Sequence, residues 1–237
     1  MLLILISNAA TKDNDYDDGG GYGRNVSMIQ LVHGGQISDA TMRKQQSWAQ
    51  DDGGDAEKKA LLAFKSSLKG LSSEIALRNW VEVAPVMDNA HNMSSNTTTN
   101  PVYCEWDGIL CQGSNVVSLQ LQGMGLMGPI SPHLANLTHL KVLNLSSNAL
   151  NGPIPTSIFT NLIHLESLDL SQNMLSGLLS IDSENLSHLQ HLNLASNSLS
   201  GPLPPRIGSL PNLQTLDLNT NGFAGPIPSR IGDLGSL

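Results

Sequence analysis

Three histidines, His139, His164 and His188, stand 25 and 24 residues apart, and each directly precedes a leucine. On neighbouring strands about 4.8 Å apart, such a series lines up its imidazoles. Imidazole both ligates zinc and changes charge near pH 6. The column therefore reads either as a metal or proton-sensing site or as an exposed corner that accepts any polar residue. No carboxylate or cysteine completes a ligand set, and Asn212 takes the equivalent place one period on, so no metal is expected.

Cys104 and Cys111 are the chain's two cysteines, in "CEWDGILC". They read as two buried free thiols, as a redox pair or as a disulfide, and no C-x-x-C supports the redox reading. Six Asn-x-Ser/Thr sequons, at Asn25, Asn92, Asn96, Asn136, Asn144 and Asn185, are potential glycan acceptors of a secreted chain. Asp13, Asp15 and Asp17 resemble the start of a calcium loop, but Asp18 and Arg24 stand where Gly and Glu are required. There is no phosphate-binding glycine loop and no kinase catalytic motif. Nor does a repeating coil offer the pocket that a nucleophile, base and orienting acid need. The expectation is a protein that is not an enzyme and takes no cofactor.

The element that must position these groups is a repeat. Leu119, Leu143, Leu168, Leu192 and Leu216 are spaced 24, 25, 24 and 24 apart, and each is followed two residues on by another Leu. Met124, Asn148, Asn173, Asn197 and Asn221 come next in register. Leu126, Leu150, Leu175, Leu199 and Phe223 follow, and then Gly at 128, 152, 177, 201 and 225. Leu-x-Leu has period 2, so both side chains enter one face of a short strand. A coil of about 24 residues cannot bury that face alone, but stacked coils can. The chain must turn after each strand, and an Asn amide, both donor and acceptor, suits the peptide groups left there without partners.

This pattern resembles the plant-specific leucine-rich repeat, L-x-x-L-x-L-x-x-N-x-L-x-G-x-I-P, over residues 116–237. Met124 departs from it in the first coil, and Leu179-Ser180 departs from it in the third, where an irregular convex side is expected. Upstream, Ala60, Leu61, Leu62, Phe64, Lys65, Trp80, Cys104, Trp106, Gly108, Ile109 and Cys111 resemble the cap that precedes such repeats in plant extracellular proteins. The resemblance implies an α/β solenoid, a right-handed leucine-rich-repeat horseshoe with short parallel strands on its concave face. It also implies an α-helical N-terminal cap held by a Cys104–Cys111 disulfide. The cap helix is expected to start after Asp55 as N-cap, with a second short helix around 73–80 bringing Trp80 inward.

The usual binding face of such a horseshoe is the inward one. Its central column is Gln120, Asn144, Asp169, Asn193 and Asp217. Ser118, Val142, Ser167, His191 and Thr215 run on one side. Gln122, Ser146, Ser171, Ala195 and Asn219 run on the other, all expected to be exposed. The face is polar, with little charge and no aromatics. It suits recognition of a peptide, glycan or protein, although any solvated strand face is polar too. The resemblance implies a receptor-like kinase or receptor-like protein ectodomain, extracellular or at the outer face of the plasma membrane. Its partners would be a protein or peptide ligand and a co-receptor. A secreted inhibitor similar to polygalacturonase-inhibiting proteins, or a structural cell-wall protein, are the alternatives.

The organisation expected is a signal remnant and acidic, Gly-rich disordered segment over 1–54, the cap over 55–115, and five repeats over 116–237. A short helix at 38–50 and a polar loop at 87–100 lie within the first two. "MLLILI" lacks a basic flank and is shorter than a signal core. No apolar run reaches the length of a membrane helix, so membrane attachment is expected only through a region outside this chain. Leu237 falls 24 residues after Leu213, which points to a further coil. The formal charge of −8 disfavours nucleic acid as a partner.

Overall fold

The computed structural model describes residues 52–81, 101–181 and 184–233, and there each Leu-x-Leu unit becomes a short strand and its exit. Strands β2 (Asn115–Gln120), β4 (Val142–Asn144), β6 (Ser167–Asp169), β8 (His191–Asn193) and β10 (Thr215–Asp217) pair in parallel. Their register places Leu119, Leu143, Leu168, Leu192 and Leu216 side by side. Strand β1 (Ile109–Gln112) pairs antiparallel with β2 and closes the sheet on the cap side. Both leucines of each unit are fully buried in the first four coils and half-buried in the fifth. Each fully buried side chain contributes about 1.5–3 kcal/mol, so these aliphatic rows dominate the stability of the stack.

The chain leaves each strand through a left-handed residue. Ser147, Gln172, Ser196 and Thr220 have φ of 53–55°, and Gly123 fills the same place in the first coil. The turn delivers the chain to a second parallel sheet that the repeat spacing did not announce. It runs β3 (Met127–Pro129), β5 (Ala149–Gly152), β7 (Met174–Leu178), β9 (Ser198–Gly201) and β11 (Gly222–Phe223). Between the two sheets lie the asparagines. Asn173 Nδ2 donates to the carbonyls of Leu145, Leu170 and Ser171 (3.0, 3.1 and 3.1 Å), and Oδ1 accepts the Leu150 N–H (3.0 Å). Asn148, Asn197 and Asn221 repeat this pattern coil after coil.

On the convex side, coils one and two carry a short 3-10 helix (Pro132–Asn136) and α-helix (Thr156–Asn161), and the last two carry 3-10 turns (Ile207–Ser209 and Ser229–Asp233). The third coil, with Leu178-Leu179-Ser180 where its neighbours have Pro-Ile-Pro or Pro-Leu-Pro, has no helix there among its described residues. A groove of about 390 Å³ lined by Leu178, Ile181, Pro202 and Pro205 lies beside it, and one of about 380 Å³ lies between the last two coils.

The cap covers the apolar end of the first coil. Helix α1 (Asp52–Ser67) begins three residues before the expected N-cap, since Gly53 and Gly54 take helical backbone, so Asp55 lies inside the helix. Helix α2 (Gly70–Ala76) likewise starts earlier than expected, directly after Lys69, which stays extended and donates its N–H to the Met127 carbonyl (2.7 Å); it ends before Trp80, at Leu77, whose backbone is no longer helical. Ala60, Leu61, Phe64 and Leu77 are buried, and Trp80 stacks on Trp106 with ring centroids 5.5 Å apart. Trp80 Nε1 donates to the Asp107 carbonyl (3.0 Å), so the indole is buried without losing its hydrogen bond. Cys104 and Cys111 form a disulfide, Cα–Cα 5.6 Å. Closing so short a loop contributes about 2–3 kcal/mol on the chain-entropy model.

Glu57 joins cap to repeats. Only 4% exposed, it accepts the Val116 N–H (2.8 Å) at the start of β2. Burial pushes its carboxyl above the ordinary value, and the Val116 bond, the nearby His139 and the Tyr103 hydroxyl partly offset this. A raised folded-state pKa contributes stability that is complete below the unfolded pKa and is lost as pH rises through the folded value. Glu57→Gln keeps the acceptor and removes the ionisation. Urea melts between pH 4 and 7 should show a shallower loss of stability with rising pH in this variant than in the parent. Parallel profiles would show that Glu57 is not the group responsible.

Candidate ligand-binding face

The central column is built from strand-end residues that cap their own turns. Asn144 Oδ1 accepts the Ser146 N–H and hydroxyl (3.0 and 2.7 Å), and Asp169 Oδ1 does the same for Ser171 (2.9 and 2.7 Å). Asn193 Oδ1 takes the Ala195 N–H (3.1 Å), and Asp217 Oδ1 takes the N–H and amide of Asn219 (3.0 and 2.7 Å). One oxygen of each residue is thus committed to local structure. Gln120 is exposed and donates to Ser118 Oγ (3.1 Å).

The flanks differ from the expectation. Ser146, Ser171 and Ala195 are buried, as is Ser118, at 4–9% exposure. The two serines after the strands are drawn in because their hydroxyls donate back to the capping side chain, and the next coil covers what remains. The open part of the face is therefore the central column with Val142, Ser167, His191 and Thr215, and Gln122 and Asn219 at the two ends. His191 Nδ1 and Thr215 Oγ1 are hydrogen-bonded across β8 and β10 (2.9 Å). Lys141 and Glu166, one residue before β4 and β6, form an ion pair (3.1 Å). Sequence reasoning passed over this pair, although the 25-residue offset places the two on adjacent coils.

The other marked residues lie off this face. His139, His164 and His188 do line up: the first two rings stack (centroids 6.2 Å apart, 16° between planes), and His188 is tilted by 52° against His164 (5.9 Å). His188 Nδ1–H donates to the Ile163 carbonyl (3.1 Å), and Asn212 Nδ2 makes the matching bond to Ser187 (2.6 Å). Among the described residues no three His, Cys, Asp or Glu side chains converge as a metal site, and His188 Nδ1 is already committed to a carbonyl. Added zinc should leave the unfolding temperature unchanged, and a rise at micromolar zinc would reveal a site that this geometry does not provide. Of the sequons, Asn136 is exposed at the end of its 3-10 helix, Asn185 is half-buried, and Asn144 is half-buried within β4. Asn25, Asn92, Asn96, the aspartate run at 13–17, the helix at 38–50 and the loop at 87–100 lie outside the described residues. No helix among the described residues is long and apolar enough to cross a membrane.

Two parallel sheets joined by left-handed turns and an asparagine ladder, closed by a disulfide-bonded helical cap, define a leucine-rich-repeat solenoid of the extracellular plant type. The leucine rich repeat N-terminal domain model matches residues 54–112, and leucine-rich-repeat models match 138–199 and 187–234. The chain belongs to the plant leucine-rich-repeat family. It is similar to the LRR receptor-like serine/threonine-protein kinase GSO2 of Arabidopsis thaliana, 46% identical over 59 residues, which are 25% of this chain and 5% of that protein. Among solved structures it resembles the BIR2 ectodomain from Arabidopsis thaliana, with 33% identity, TM-score 0.62, and coverage of 73% of this chain and 84% of that one. It also resembles the Arabidopsis receptor kinase HAESA, solved in complex with the peptide hormone IDA and the co-receptor SERK1. That match has 29% identity and TM-score 0.59, and covers 78% of this chain and 28% of that one. The chain spans between 5% and 9% of the length of the first four curated relatives.

Proposed function

We propose that this chain is a non-catalytic recognition module of a receptor-like kinase or receptor-like protein, extracellular, binding a peptide or protein ligand through its concave strand face. The observation that carries the reading is the joint one of fold and face. The fold is that of ectodomains such as HAESA, solved with a peptide hormone and a co-receptor. The open column of Asn144, Asp169, Asn193 and Asp217 with Ser167, His191 and Thr215 is polar and held rigid by its own hydrogen bonds. Rigid donors and acceptors lose little entropy when a ligand orders against them. The disulfide and the sequons fit an oxidising, secretory environment. Glycans are proposed at Asn92, Asn96, Asn136, Asn144 and Asn185; the one at Asn144 would cover the β4 part of the column and leave Asp169, Asn193 and Asp217 to the ligand. A co-receptor would meet the assembled complex, and attachment to the membrane and signalling would reside in other regions of the protein.

The test is titration of the full chain, produced through a secretory host, with a panel of synthetic secreted plant peptides. Saturable binding is expected, and it should be lost in Ser167→Tyr and Thr215→Tyr, which fill the face with bulk while keeping strand-compatible residues. Binding that survives both substitutions places the ligand elsewhere. Inhibition of a polygalacturonase without peptide binding would move the protein to the inhibitor class.

A further inference from the structure

We infer that the concave face takes a peptide in polyproline II conformation that carries two basic side chains three residues apart, seated on Asp169 and Asp217. This inference rests on the reading of that face as the binding surface. The two aspartates stand on β6 and β10 with β8 between them. Two strand spacings separate them, about 9.6 Å. Polyproline II has three residues per turn and rises about 3.1 Å per residue, so its residues i and i+3 point the same way about 9.3 Å apart. A β-strand ligand has period 2, so it would set residues i and i+2 only about 6.6 Å apart and turn i+3 away.

The two aspartates have no basic partner among the described residues. Oδ1 of each aspartate is used in capping. Among the described residues, Oδ2 of Asp169 receives only a long bond from Asn193 Nδ2 (3.4 Å), and Oδ2 of Asp217 receives none. Among the described residues of the parallel strands and their flanks on this face, Lys141 is the one basic side chain apart from His191, and Glu166 holds it. His191 is bonded to Thr215. Two oriented carboxylates therefore remain for an incoming cation. Asn193 lies in register between them, and Ser167, His191 and Thr215 form the adjacent row. Complementary charge of this kind selects partners and speeds encounter.

The decisive experiment pans a random peptide library over the immobilised full chain, then over the Asp169→Asn/Asp217→Asn double variant. Asparagine retains the capping oxygen, so the fold should persist, and an unchanged thermal melt checks this. Enrichment of Lys or Arg pairs spaced i and i+3 is expected. The double variant should bind the selected peptides about tenfold more weakly, with a flatter salt dependence. Selected peptides without basic residues that still lose binding in Ser167→Tyr would keep the concave reading and overturn the charge inference. Peptides indifferent to Ser167→Tyr and Thr215→Tyr, or no enrichment at all, would overturn both.

Discussion

Asn148→Ala will cost the solenoid about 3 kcal/mol, more than the same change at Asn173, which will cost about 2 kcal/mol. The difference follows from which groups keep a second partner. Without Asn173, the Leu145 carbonyl still receives Asn148 Nδ2, the Leu170 carbonyl still receives Asn197 Nδ2, and the Ser171 carbonyl still receives the Ser147 N–H. Only the Leu150 N–H is orphaned. Asn148 stands at the start of the ladder, because the first coil has Met124 in that place. Its removal orphans the Leu126 N–H and also strips the Leu121 carbonyl of its ladder donor (2.9 and 2.8 Å). Each unsatisfied buried group costs about 1–3 kcal/mol. Thermal melts should fall by about 6–12 °C for Asn148→Ala and by less for Asn173→Ala. Equal losses would show that the ladder carbonyls are not shared as drawn, and no loss at either position would remove the asparagines from the stability argument.

Gly108→Ala will be the costliest single methyl in the cap, at about 4 kcal/mol. Gly108 has φ +79°, which for an L-residue costs about 1–2 kcal/mol. A Cβ there would lie 2.4 Å from the Gln120 carbonyl oxygen and 2.5 Å from Leu121 Cδ2. Neither can retreat, since Gln120 donates its N–H to the Gly108 carbonyl (2.8 Å) and Leu121 is fully buried in the first coil. Overpacking of this kind adds about 1–3 kcal/mol. Gly113 is the internal control. It too is left-handed, at φ +64°, but nothing lies within 4 Å of its Cβ position. Gly113→Ala should cost about 1 kcal/mol, the backbone part alone. Urea denaturation of both variants separates contact from conformation, and equal destabilisation would refute the contact.

Much of the molecule was legible in the residues because a coil is a local object. The spacing of Leu119, Leu143, Leu168, Leu192 and Leu216 states the period, and period 2 at each Leu-x-Leu states which side is buried. The place of the turn follows from Asn148, Asn173, Asn197 and Asn221, since only a side chain that both donates and accepts suits backbone groups that leave a strand. The central column of the concave face follows from the same alternation.

What lay beyond the sequence depends on the neighbouring coil. Ser146 and Ser171 occupy positions that alternation marks as outward, yet they are buried because their hydroxyls turn back to Asn144 and Asp169. The second sheet, β3 to β11, arises only when the left-handed turns at Ser147, Gln172, Ser196 and Thr220 align and bring short segments into register. A two- to five-residue strand carries too little periodicity to announce itself. Nothing in the sequence marks Glu57 apart from the other charged residues around it, and only the fold brings it to Val116, 59 residues away. Composition and spacing determined the coil and the inward column of this protein, and the cap was implied by the resemblance of the residues from Ala60 to Cys111. Tertiary stacking alone decided which polar side chains remain free to meet a partner, because hydrogen bonds between coils are made by groups that no single coil contains.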